Sequence, residues 1–228
     1  GAFKCIMSGD LISYEYINNQ ANEGNLGQRL MAVVLEGDRK RIYLSPSEEI
    51  ESLAFSATPS WKPSTPSRGT WASNAQGRRY GFYTYGDYFT SRQLVALETF
   101  SKLVIEAKEL IQQDFQKAHI KTKVSLHSEE NNEAENYTKS IVLYLGFIVS
   151  QLSNHSSSMC GWNTTNTQIR STFAQSGIAM IWDFAESNPF SNSSGSFQNI
   201  LDRQIKAFNS IPSNHKGIAI KKDARDID

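Results

Sequence analysis

Cys5, Ile6, Met7, Ser8 and Gly9 have the spacing of one half of a zinc ribbon, with serine where the second cysteine would stand. A structural zinc ion needs about four nitrogen or sulfur ligands. Cys160 and the four histidines, His119, His127, His155 and His215, are not at ligand spacing from Cys5, so no metal site is expected. The hairpins after Cys5 could still be the remnant of such a ribbon. A Cys160–His155 pair would have the residue types of a thiol hydrolase, but it falls in a polar, loop-like stretch. There is no G-x-S-x-G elbow, no G-x-x-x-x-G-K-[ST] and no G-x-G-x-x-G. Asn136, Asn154, Asn163 and Asn192 each open an Asn-x-Ser/Thr triplet. Such triplets arise by chance in a chain this rich in Ser and Asn.

Two polar stretches are denser in functional groups than the rest, CGWNTTNTQIR (160–170) and WDFAESNPFSNSSGS (182–196). Each mixes aromatics with amides and hydroxyls, the groups that read hydrogen-bond edges or line pockets for polar ligands. The same residue types also serve turns and helix caps. Asn188-Pro189-Phe190 is reminiscent of the D/N/S-P-P-Y/F tetrad that holds a flipped base in amino-methylating enzymes. Its second proline is missing.

Charge is unevenly distributed along a chain of 228 residues with 23 basic and 23 acidic side chains. Residues 61–128 hold ten basic and five acidic residues, whereas 1–60 and 129–228 are net acidic. Within the basic part, Lys62, Arg68, Arg78, Arg79 and Arg92 alternate with Trp61, Trp71, Tyr80, Phe82, Tyr83 and Tyr85. That pattern suits phosphate contact with base stacking. It also suits a solvated loop beside a buried aromatic strand. Apolar residues make up 39%, too many for a disordered chain. The longest apolar run, Ile141 to Val149, is about half the roughly 18 residues that span a bilayer. No membrane partner is expected, and with no signal-peptide core at the start the sequence suggests a cytoplasmic location. Two cysteines exclude a disulfide framework.

The elements that must position these groups follow from periodicity and caps. Residues 10–18 alternate as a strand, 21–27 read as a turn, and strands are expected over 29–36 and 40–45 around a Gly37-Asp38 hairpin. A short helix suits 47–56 and a strand 80–85. Residues 91–118 form a long amphipathic helix opened by a Thr90/Gln93 capping box. A second helix covers 130–153, its later half apolar on most sides and therefore expected to be central and buried. A short helix over 166–175, a buried segment at 178–184, a loop over 187–195, a helix over 196–210 and a strand over 217–220 complete the pattern. The expected division is a β-rich ribbon-like element with a long loop over 1–79 and a mainly helical region over 80–228.

The stretches LGQRLMAVVLEG (26–37), YGDYFTSRQLVALETFSKLV (85–104) and WNTTNTQIRSTFAQSGIAMIWDFAESNPFSNSSGSF (162–197) carry a family likeness. With CIMSG (5–9), they resemble, in order, the middle of large prokaryotic adenine-specific DNA methylases with a zinc-ribbon-like element. The resemblance implies an α+β chain: an N-terminal antiparallel β element, a mainly helical body, and a terminal helix–strand unit from an incomplete Rossmann-like methyltransferase sheet. It implies S-adenosylmethionine as the cofactor of the parent protein. The family's glycine-rich cofactor motif would lie upstream of the matching region and its D-P-P-Y catalytic motif just downstream. Neither occurs here, so no cofactor and no catalysis are expected of this chain alone. The resemblance implies the target-recognition or pocket-lining segment of a DNA adenine-N6 methyltransferase, with DNA and the remainder of that enzyme as partners. Arg78, Arg79, Arg92, Asn163, Asn166 and Arg170 are then candidates for contact with DNA. Asn188, Phe190, Asn192 and Asp223 are candidates for a base or cofactor pocket. The alternative is a non-catalytic DNA-binding or assembly module of a phage-defence complex.

Overall fold

A computed structural model describes residues 3–67, 76–120, 129–174, 177, 178 and 180–212. Strands β1 (Phe3–Lys4) and β2 (Leu11–Ile12) pair antiparallel around the Cys5–Gly9 knuckle. The knuckle closes through Gly9 N–H donating to the Cys5 carbonyl at 2.8 Å, and Gly9 sits at φ 77°, where a side chain would be strained. The strand expected over 10–18 stops at Ile12 and gives way to helix α1 (Tyr14–Asn22). Ser13 is the reason. Its hydroxyl accepts from Tyr16 N–H at 3.1 Å as an N-cap, and Glu15 complements the positive helix end. Alternation did not fix the outcome because Tyr14 and Tyr16, which would share one strand face, are both more than half exposed.

The second hairpin forms where expected, as β3 (Val33–Gly37) and β4 (Lys40–Leu44), with Gly37 opposite Lys40. Asp38 and Arg39 make the two-residue turn, Arg39 at φ 54°. Arg29 and Leu30 lie outside the strand. Glu51 instead accepts from Arg29 Nε at 2.8 Å and Leu30 N–H at 3.0 Å. Glu51 belongs to helix α2 (Glu48–Phe55), capped by Ser47 and opened by three glutamates in its first turn.

No strand forms over 80–85. Two 3₁₀ turns, Gln76–Tyr80 and Tyr85–Tyr88, flank this stretch, and one isolated bridge joins Pro66 to Thr84. Gly81 breaks the extension: it has φ 83°, and a Cβ there would lie 2.9 Å from the Ala21 carbonyl oxygen of α1. Asp87 then tightens the second turn by accepting from Thr84 N–H at 2.7 Å and Thr84 Oγ1 at 2.8 Å.

The body is a helical hairpin, α3 (Ser91–Ile120) and α4 (Glu129–Ser153), crossed by α5 (Phe197–Ser210). The capping box is present: Thr90 N–H donates to Gln93 Oε1 at 2.9 Å, and Gln93 N–H to Thr90 Oγ1 at 3.3 Å. Phe115 meets Tyr137, while Phe100 of α3 clusters with Ile148 and Leu152 of α4, so the two helices run antiparallel. Ile200 of α5 completes that cluster, and Phe197 stacks on Phe100 at 5.0 Å. The later half of α4 is less enclosed than its composition suggests: Leu143 is 55% and Phe147 53% exposed. The helices α3 and α5 pack on it but leave these side chains open.

Of the helix expected over 166–175, the described residues 166–174 are not helical. Trp162–Asn163 (β5) and Gln168–Ile169 (β6) form a third small hairpin. Asn163 Oδ1 accepts from the N–H groups of Thr165 at 3.0 Å and Asn166 at 3.2 Å, and this Asx turn outcompetes a helix start. Within the segment 178–184, the described residues are only partly covered, with Trp182 56% exposed. Helix α5 forms where a helix was expected over 196–210, with Ser196 as its N-cap. The strand expected over 217–220 lies outside the described residues. The described architecture is therefore mixed α and β, a helical body with three antiparallel two-stranded pairs. No described helix is long and apolar enough to cross a membrane.

Candidate functional site

The site is assembled around residues 154–160, which leave α4 as a chain of small polar groups buried in place of an apolar core. Ser157 and Cys160 are fully buried. Ser157 Oγ and Thr172 Oγ1 share a hydrogen bond of 2.7 Å, and Met159 N–H donates to Ser157 Oγ at 3.2 Å. Cys160 Sγ lies 3.4 Å from Thr172 Oγ1 and 3.7 Å from the Asn154 carbonyl. These contacts satisfy hydroxyls and a thiol that would be costly to bury alone. They also leave the Cys160 thiol with structural partners and no access to solvent. His155 is not among those partners; its Nδ1 lies 3.5 Å from the Gln151 carbonyl. Burial holds the His155 pKa below its usual value, opposed by that carbonyl contact.

This hub fastens two flanking segments. Thr172 N–H donates to Asn154 O at 2.7 Å and Arg170 N–H to Gly161 O at 2.8 Å, fixing the end of β6. Ala185 N–H donates to Cys160 O at 2.7 Å and Ser187 Oγ to His155 O at 2.9 Å, fixing 181–187. Between them opens a groove of about 240 Å³, lined among others by Met159, Trp162, Arg170, Thr172, Ile181 and Asp183. Trp162 is held edge-on by Tyr43 of β4 at 6.3 Å between ring centres. The groove thus offers an aromatic ring, a guanidinium and a carboxylate.

The expected site residues divide into three groups. Arg170 lines the groove, with Asn163 and Asn166 at the tip of the same hairpin, where the Asn163 side chain is occupied by its turn. Asn188, Phe190 and Asn192 lie on the loop before α5. Asn188 Oδ1 accepts from Phe190 N–H at 2.9 Å, and the Phe190 ring is 82% exposed, resting on Phe100 at 5.7 Å. Asn192 is exposed. Arg78, Arg79 and Arg92 are elsewhere. Arg78 Nη1 donates to the Ser67 carbonyl at 2.8 Å, and Arg79 follows it on the same exposed turn. Arg92 makes a two-bonded pair with Glu186, at 2.9 and 2.6 Å, and donates to the Ala54 carbonyl at 2.6 Å. Its guanidinium also lies 5.4 Å from the Phe55 ring centre. Its role here is to tie α2, α3 and the 181–187 segment together. Asp223 lies outside the described residues.

Trp162, Met159, Thr172, Ile181 and Asp183 were not singled out from sequence. Part of the signal was nonetheless present, since the two dense polar stretches supply Gly161, Trp162, Arg170 and Asp183. At the N-terminus, the Cys5 pKa is lowered by the Ser8 side chain, then by the Ser8 and Met7 backbone. No group of metal-ligating side chains gathers among the described residues. Comparison of the chain with protein-family models, characterised proteins and solved structures finds no match.

Proposed function

We propose that this chain is the central, target-recognition or pocket-lining segment of a DNA adenine-N6 methyltransferase. The reading is supported most by one observation: the longest family-like stretch, 162–197, contributes Trp162, Arg170 and Asp183 to one groove. Aromatic, cationic and carboxylate groups at one concavity suit recognition of an unpaired base next to the adenine that is methylated, rather than of that adenine itself. Arg78 and Arg79, on an exposed turn, are the phosphate contacts in this reading. The finer fold expectation, a final strand belonging to a Rossmann-like sheet, belongs to the same proposal.

S-adenosylmethionine does not fit the described residues. The groove is smaller than the ~300 Å³ at which sites for drug-sized ligands begin, and no glycine-rich turn opens a helix beside it. Methyl transfer is therefore assigned to the remainder of the enzyme, and this chain holds DNA. The test is duplex DNA affinity measured against salt. The reading expects log affinity to fall steeply with log salt, and Arg78→Ala with Arg79→Ala to reduce the slope by about two. An unchanged affinity and slope in the double variant would remove these residues from the interface.

A second reading, an assembly module of a defence complex, is favoured by the helical hairpin. Ile105 (70% exposed), Leu110 (62%), Leu143 (55%) and Phe147 (53%) leave apolar surface uncovered. Exposed apolar area of this kind suits a protein partner.

A further inference from the structure

We propose that the groove between β6 and the 181–183 segment binds an unpaired guanine base. The inference deepens the nucleic-acid reading, but its chemistry can be tested without it. The groove holds two opposite charges that do not neutralise each other. Arg170 and Asp183 both line it, each exposed to solvent, and neither makes a side-chain hydrogen bond or ion pair among the described residues. An apolar ligand would desolvate both charges without compensation. A simple anion would match Arg170 and oppose Asp183, and a simple cation the reverse.

The matching ligand is flat, with two neighbouring acceptors on one edge and two neighbouring donors on another. Trp162, Ile181 and Met159 supply apolar surface for the faces of such a ring. Guanine has this pattern. Its O6 and N7 accept a guanidinium fork, and its N1–H and N2–H₂ can donate together to one carboxylate. Adenine offers an amino group but no adjacent second donor. Cytosine and thymine lack the O6/N7 pair. The N1/N2 edge is consumed in a base pair, so the guanine must be unpaired. It could come from a free nucleotide or from an exposed position in a strand.

The experiment titrates the four nucleoside monophosphates against the full chain by calorimetry, then repeats the titration with oligo-dT carrying one central guanine or one central adenine. Guanosine monophosphate is expected to bind at least about tenfold more tightly than the adenosine, cytidine and uridine forms. Asp183→Asn and Arg170→Gln should each abolish that preference, with circular dichroism confirming the fold. Glu109→Gln, an exposed change on α3, should retain it. Equal binding of all four nucleotides, or a guanine preference that survives Asp183→Asn, overturns the proposal. Preference for the free nucleotide without preference in the strand assigns the groove to nucleotides. Preference in both assigns it to exposed strand positions as well. Guanine preference with no duplex affinity would uphold the groove and defeat the methyltransferase reading. Salt-dependent duplex affinity with no base preference would do the opposite.

Discussion

Arg92 stands in a basic, aromatic-rich stretch that suits phosphate contact, yet in the fold it is a tie between elements. The perturbation is Arg92→Gln. The side chain is 27% exposed, as is that of Glu186, so the pair lies between the surface and buried regimes. Exposed pairs contribute about 0–1 kcal/mol, whereas hydrogen bonds to charged groups contribute about 1.5–3 kcal/mol. A two-bonded contact at 2.9 and 2.6 Å in this setting is worth about 1–2 kcal/mol. Losing the donor to the Ala54 carbonyl adds about 1 kcal/mol. Arg92→Gln should therefore lower the unfolding free energy by about 2–3 kcal/mol in urea titration. A double-mutant cycle with Glu186→Gln isolates the pair, and its coupling should be about 1–2 kcal/mol. Duplex DNA affinity and its salt slope should not change beyond any loss from unfolding. Coupling near zero together with a shallower salt slope would refute this, and would return Arg92 to the phosphate interface.

Three further outcomes follow from the site and its surroundings. Titration with an aromatic disulfide should find Cys5 reacting quickly in the native protein, its pKa lowered by Ser8, while fully buried Cys160 reacts only on unfolding; fast native reaction at Cys160 would contradict the hub. The His155 imidazole should titrate by NMR below its usual value of 6.5, because burial disfavours the cation. Its contribution to stability is then complete above the unfolded value and is lost as pH falls through 6.5 toward the lower folded value, and Arg203→Gln should raise the midpoint; a midpoint at or above 6.5 would defeat this. Glu98 holds Ser60 N–H at 3.0 Å and pairs with Lys102, and its pKa falls from 4.5 to about 2. The folded value is depressed, so the docking of Ser60 should persist above pH 4.5 and loosen between there and pH 2, read as exchange of the Ser60 amide.

The parts legible in the sequence are those governed by local chemistry with one dominant signal. Thr90 and Gln93 announced α3, the Gly37-Asp38 region announced the second hairpin, and α2 and α5 fell where their serine caps allow. The misread parts had two competing signals. Residues 14–18 alternate like a strand, but Ser13 caps a helix and no sheet buries either face. Residues 80–85 alternate too, but Gly81 lies against the Ala21 carbonyl, a contact set by tertiary placement. At the start of the next expected helix, the amide of Asn163 captured the backbone N–H groups of Thr165 and Asn166 that a helix would have left free. The apolar second half of α4 looked central because composition counts greasy residues without counting the neighbours available to cover them. The candidate site was half legible. Its two polar stretches stood out, but nothing in them revealed that Cys160 O would receive Ala185 N–H and bring them together.

That pairing explains why the groove is built on hydroxyls. A core of Phe100, Ile148, Leu152 and Ile200 secures the helices but does not reach β6 or 181–187. Apolar contact would set the separation of those segments only loosely, since it has no direction. Hydrogen bonds do have direction, and the carbonyls of residues 154–160 accept them from both segments that flank the groove. Asn154 O takes Thr172 N–H, His155 O takes Ser187 Oγ, and Cys160 O takes Ala185 N–H. Ser158 N–H and Oγ both donate to the Tyr88 carbonyl, at 2.7 and 2.8 Å, anchoring the hub to the turn ahead of α3. One short segment therefore sets the distance between Arg170 on one wall and Asp183 on the other. A buried network of this kind is costly if any member is left unpaired, so the spacing of the two walls is fixed by the same bonds that make the region fold.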